Sequence, residues 1–210
     1  MLKNKIIRQG FLSVLGQVIL GIGGGFILFA NLGMDAFGVF HSGVANTFNI
    51  SFGTAVFYES LVILLFDYFI DKTYISFSTV TSLFIAGFTA DFTLFLMTNL
   101  ITNPMPIFIK LVFVLIGSVI LASGLNLYVL ADLGIGALDI IAEMVTDKSN
   151  FEYQKVKMTN DIFFLFLGLI LGGHAGIATI FTAFLIGPIV QFIRKRISKP
   201  IDIWINKKAI

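Results

Sequence analysis

Three carboxylates stand in stretches of this sequence that are otherwise almost wholly apolar: Glu59, Asp91 and Asp161. With them come the amides Gln17, Asn126 and Asn160, also inside apolar runs or at their margins. An ionisable or strongly polar group at hydrocarbon depth needs a partner, a wet cavity or a raised pKa that leaves it neutral. The chemistry open to such groups is the binding of a polar solute or ion and the carriage of a proton. Glu59, seven residues into its run, is the strongest of the three acids. Asp91 and Asp161 lie nearer the outer and inner margins, where simple solvation explains them as well. Asp67 and Asp71, at the inner end of the run that holds Glu59, read as interfacial. For Gln17 and Asn126 the competing reading is a plain hydrogen bond between helices.

Other chemistries find little footing. The chain has no cysteine, hence no disulfide, thiol nucleophile or thiolate metal site. His41 and His174 are the only histidines, show no metal-ligand spacing, and read as polar residues at an interface. No Ser-His-Asp order, phosphate loop, haem or zinc signature occurs. The expectation is a protein that is not an enzyme and uses no cofactor or metal.

The elements that must hold these residues are membrane helices. Hydrophobic residues make up 57% of the 210 and charged residues only 12%, outside the range of soluble domains. Six runs approach the ~20 residues that cross a ~30 Å hydrocarbon layer: Gly10 to Asn31, Phe52 to Ile70, Tyr74 to Met97, Ile107 to Leu130, Met158 to Gly172 and Gly176 to Ile193. The first run is too long for the core of a cleaved signal peptide and lacks an Ala-x-Ala site, so it counts as a span. Six crossings from a cytoplasmic N-terminus place thirteen of the fourteen basic residues inside and only Lys110 outside. The prediction is a multi-pass protein of a bacterial inner or plasma membrane with both ends cytoplasmic. Basic residues so explained by topology point to the bilayer as partner and not to nucleic acid.

The chain also repeats itself. Gly16 to Ala36 and Gly117 to Ala137 share nine identities in 21 positions at an offset of 101, among them Gly23 with Gly124 and Gly33 with Gly134. Thr79-x-x-Ser82 and Thr179-x-x-Thr182 continue the match at an offset of 100, which also pairs Asp91 with Gln191. Glu59-Ser60 meets Asn160-Asp161 at 101. Three spans per copy is an odd number, so the second copy must enter the membrane from the opposite side, the plan of many secondary transporters. In each copy a Gly-bearing helix ends in an Ala-Asn/Asp-Leu-Gly turn, which adds Asn31, Asp35 and Asp132 to the polar candidates. The run Gly23, Gly24 and Gly25 is expected to permit a kink or an unwound turn. After each turn comes a segment too short to span: Met34 to Asn49, and Ile135 to Asn150 with the acidic stripe Asp139, Glu143 and Asp147. These read as interfacial or lid helices, flat or tilted over a cavity. The residues after Ser198 alternate Ile and Trp with polar groups, end in Lys207 and Lys208, and suit a segment lying on the cytoplasmic leaflet.

The Leu-Gly-x-[Gly/Asp]-Ala turn of both halves, the Gly-rich first helix and the six-span plan resemble the YczE/YyaS/YitT-like small bacterial integral membrane proteins. That resemblance implies a group mostly of undefined function, for which transport is the usual guess, and brings no catalytic residues.

The combined expectation is an all-α membrane protein of two inverted three-helix repeats, residues 1–100 and 101–197, with a cytoplasmic tail at 198–210. Its polar cavity between the halves is lined by Gln17, Glu59, Asp91, Asn126, Asn160 and Asp161. The function expected is a small secondary transporter or exporter of an unidentified small molecule or ion. The same pattern allows a substrate-capturing subunit of a vitamin-importing complex or a non-transporting membrane regulator, and the composition permits a homo-oligomer.

Overall fold

The structure, a computed structural model, describes residues 2–101 and 104–206, so Lys207 and Lys208 lie outside the described residues. Its regular elements are helices: α1 (Leu2–Ala30), α2 (Ala36–Phe48), α3 (Phe52–Asp71), α4 (Phe77–Leu100), α5 (Ile107–Leu130), α6 (Ala137–Lys148), α7 (Tyr153–Ile170) and α8 (Ile177–Asn206). A single 3-10 turn, Lys72–Tyr74, separates α3 from α4, so the third long helix begins three residues later than its apolar run. The order long, short, long, long occurs twice.

Five helices are long and apolar enough to cross a membrane: α1, α3, α4, α5 and α8. The expected fifth span is the exception. Its helix, α7, has 18 residues and spends Lys155, Lys157 and Asp161 within them, too many charges for a purely apolar stretch.

Helix α1 is the hub, packed along α5 on one side and α4 on the other. Glycine lets the backbones meet. A methyl added at Gly16 would stand 2.8 Å from the Gly124 carbonyl oxygen, and one at Gly23 would stand 2.6 Å from that of Gly117. Because Gly16 faces Gly124 while Gly23 faces Gly117, α1 and α5 run antiparallel, and repeat-equivalent glycines exchange partners. Gly21 and Gly25 serve the other face, against Ala86 and Thr93 of α4, which runs parallel to α1. The unwound turn that the glycine run would permit does not occur: α1 is one continuous helix, with most of its glycines in close contact with two neighbours. Gly24 is slack, with nothing nearer than the Ala90 Cβ at 3.8 Å from an added methyl, and so is Gly10, 3.8 Å from the Phe77 ring.

The turns after α1 and α5 match each other in detail. Gly33 and Gly134 adopt φ of +96° and +99°, and Asn31 and Asp132 adopt 50° and 56°, left-handed values that Gly, Asn and Asp tolerate best. Each turn is latched to the other half. The Ala178 amide donates to the Leu32 carbonyl at 2.9 Å, and the Ser78 amide donates to the Leu133 carbonyl at 3.0 Å. The first turns of α8 and α4 thus find acceptors outside their own helices.

Helices α2 and α6 each bury a face within the fold. Six residues of α2 are buried, Gly38, Val39, Phe40, Gly43, Val44 and Ala45, and five of α6, Ala137, Leu138, Ile140, Ala142 and Met144. Burial of this extent requires packing on both sides, which α3 and α7 supply. Despite Pro188 and Pro200, α8 continues to Asn206, where Ile205 packs with Leu12 and Ala131 and the Arg8 guanidinium donates to the Trp204 carbonyl at 2.9 Å. The end of α8 therefore lies against the start of α1.

Candidate functional site

Helices α1, α4, α5 and α8 gather about the glycine seam, and α2, α3, α6 and α7 form a ring of neighbours, α2 on α7 and α3, α6 on α3 and α7, joined to the first group by the packing of α3 on α4. Each group draws elements from both halves of the chain. The buried ionisable groups concentrate in the second.

Glu59 of α3 meets His41 of α2. Its Oε1 faces the His41 Nδ1 directly, with only 5% of the Glu59 side chain exposed. Phe52 closes the other side of the imidazole edge-on, ring centroids 5.6 Å apart. The contact requires only that a shared proton lie between the two atoms, whether the pair is His⁺ with carboxylate or neutral imidazole with carboxylic acid. The repeat-equivalent positions are Ala142 and Asn160, so this pair exists once. Asn160 donates instead to the Leu138 carbonyl at 3.0 Å, tying α7 to α6.

Across the ring lies a charged cluster. The Lys157 ammonium is 3.1 Å from Asp139 of α6 and 2.5 Å from Asp161, one turn along α7, and sits 4.1 Å from the ring centroid of Phe37. Asp35, immediately before α2, joins them: burial pushes its carboxyl up, while Lys157 draws it down and Asp161 adds to the rise. Three carboxyls about one ammonium leave an excess of negative charge. Glu143, a turn beyond Asp139, is half-buried and its carboxyl is also raised, first by burial and then by Asp147 and Asp139. Among the described residues no three His, Asp or Glu side chains converge to hold a metal ion.

The remaining candidates lie elsewhere, and the six expected to line one cavity are not brought together. Gln17, 1% exposed, gives its amide to Ser13, the Ser78 carbonyl and Thr81, clasping α1 to α4. Asn126 donates to the Ala122 carbonyl and, at 3.0 Å, to Val190 of α8. Both are interhelical hydrogen bonds, the competing reading given them. Asp91 sits against the first turn of α3, its Oδ2 2.7 Å from where a methyl on Gly53 would be. Asn31, Asp132 and Gln191 are exposed.

Sequence reasoning passed over three residues. His41, interfacial by its sequence context, is part-buried against Glu59. Lys157, a topology signal by its sequence context, is the centre of a cluster; its repeat partner is the apolar Val56, and a lysine in place of valine at matched positions is the available hint. Asp67 was read as interfacial and is 1% exposed, with neither carboxyl oxygen hydrogen-bonded among the described residues. It lines a cavity of about 510 Å³ between α3 and α6.

Long apolar helices packed through glycine backbones, with charged groups gathered inside, define a multi-pass α-helical membrane protein. Within that class the chain belongs to DUF6198, a family of unknown function whose match covers residues 7–195. It is 26% identical over 192 residues to the uncharacterized membrane protein YczE of Bacillus subtilis, covering 91% of this chain and 87% of that one. An uncharacterized protein of Haemophilus influenzae is 28% identical over 174 residues, 83% of this chain and 78% of the relative. The YczE-like resemblance noted from the turns is thereby established. No solved structure matches.

Proposed function

We propose that this protein is a small secondary transporter of the bacterial cell membrane, built as two inverted halves of three crossings each, with both ends cytoplasmic. The observation that carries this reading is the antiparallel seam of α1 and α5, in which equivalent glycines of the two copies exchange partners. Two copies of one sequence packed in opposite senses are the framework on which alternating access is built. The sixth crossing is assigned to α7. Helices α5 and α8 run parallel, since Val114 clusters with Ala178 near their starts and Asn126 bonds Val190 further along both. The chain between two parallel crossings must return, and α7 is the long helix available. Its charges are consistent with a crossing because Lys157, Asp139, Asp161 and Asp35 neutralise one another in part.

In this reading α1, α4, α5 and α8 are the frame, and α2, α3, α6 and α7 carry the site. His41 and Glu59 hold a transferable proton, and the Asp35, Asp139, Lys157 and Asp161 cluster provides a polar path beside it. The test is a solute screen by charge displacement on purified protein in proteoliposomes, with and without an imposed pH gradient. Currents for a solute class that depend on the gradient are expected. Folded, correctly inserted protein that yields solute currents indifferent to pH, or none, would overturn the proton-coupled carrier.

A further inference from the structure

The two halves use matched positions in opposite ways. On the α2/α7 side, a methyl added at Gly43 would stand 2.5 Å from the Gly168 carbonyl oxygen, so the helices touch backbone to backbone and leave no gap. At the offset of 101, Gly43 corresponds to Met144 and Gly168 to Asp67. There the α3/α6 pair stays apart, and between the helices lies the 510 Å³ cavity, a size suited to a small organic ligand. Its walls are Ile63, Phe66, Ile141, Met144 and Val145. Asp67 also lines it, with both oxygens withdrawn from solvent and unbonded among the described residues.

Among the described residues no cation is paired with that carboxyl. Lys148 lies at one end of the cavity, its ammonium 3.8 Å from Asp71. Asp147, one residue before it on α6, accepts a hydrogen bond from Tyr74 at 2.5 Å. A buried acceptor without a donor, beside a cavity walled by aliphatic and aromatic side chains, complements a cation with an apolar body, whose ammonium would displace the packing over the Asp67 oxygens to meet the carboxylate. We propose that the α3/α6 cavity is a binding site for a monovalent organic ammonium ion bearing an apolar substituent, anchored by Asp67. Taken with the transport reading, from which it borrows only its biological sense, the site names the substrate class. Binding itself needs no transport and is tested without it.

The probes are 4-phenylbutylammonium and the neutral 4-phenylbutanol, titrated by calorimetry into the full chain in lipid nanodiscs. The expected result is saturable one-to-one binding of the ammonium at least tenfold tighter than the alcohol, reduced at least tenfold by Asp67→Asn. Should Asp67→Asn fail to yield folded protein, Val145→Trp, a change at an exposed position on the cavity wall, is expected to block binding sterically. Equal binding of ammonium and alcohol would overturn the proposal and mark the cavity as an acyl-chain cleft. Ammonium binding that survives both Asp67→Asn and Val145→Trp, or no ammonium binding, would also overturn it. Organic-cation binding without any gradient-driven flux would leave this site standing and remove the transporter.

Discussion

The residues that matter most are those whose partners come from another helix. Glu59 and His41 are 18 positions apart in sequence, yet the fold buries them against each other. Replacing Glu59 by Gln keeps the shape and removes the proton, so pH-gradient-driven flux of any carried solute should fall more than tenfold in proteoliposomes, with folding retained. Full gradient-driven flux in that variant would reduce Glu59 to a structural role. His41→Ala strips a partner from a buried acceptor and should cost about 1–3 kcal/mol of stability, read as a fall in thermal midpoint. Glu143 gives a separate test, because its carboxyl is raised by burial and by Asp147 and Asp139. A carboxyl whose folded pKa exceeds its unfolded value penalises the folded state once ionised, and the penalty fades as pH falls through that folded value. Glu143→Gln should therefore raise the melting temperature at pH 8 and raise it less at pH 5. An equal gain at both would show that its charge is not involved.

Among the elements, α1 differs from its neighbours in having glycine on two faces. Gly16 and Gly23 serve α5, Gly21 and Gly25 serve α4, and Gly24 serves neither closely. In lipid, where no hydrophobic force drives helices together, such close approach is the main source of packing energy. Gly23→Leu would force the Leu121 and Gly117 backbones away and should cost 1–3 kcal/mol or more, seen as loss of monodisperse protein in detergent. Gly24→Ala should be tolerated, with a melting temperature near that of the parent. If the two variants behaved alike, the seam would not be the contact that holds the fold. The short helices show the complementary lesson. Helix α2 bears two glycines and seats itself on α7, whereas α6 presents Met144 and leaves a cavity against α3.

For the molecule as a whole, the alternation of directions is the property that labelling can check. The native chain has no cysteine, so single-cysteine variants are clean reporters. Lys72 and Lys155 are exposed near the ends of α3 and α7, and Pro104 and His174 are exposed beyond the ends of α4 and α7. With six crossings, cysteines at 72 and 155 should label from the cytoplasmic side and those at 104 and 174 from outside. Labelling of 155 and 174 from the same side would show that α7 does not cross and would dismantle the inverted-repeat plan.

Length, apolarity and the repeat at an offset of 101 were enough, read as sequence, to specify a helical membrane protein made of two related halves, because these properties depend only on local composition and spacing. The paired turns at Gly33 and Gly134 were legible for the same reason. What the sequence could not reveal was which polar groups meet. Gln17 and Asn126 satisfy themselves at the helix seams, while Glu59 finds His41, and Lys157 finds Asp139 and Asp35 across helix boundaries. Asp67 shows the limit most clearly: its place at the inner end of an apolar run suggested solvation. Only the stand-off of α6 from α3, set by side chains 77 residues further along at Met144, decided that it would be buried beside a cavity.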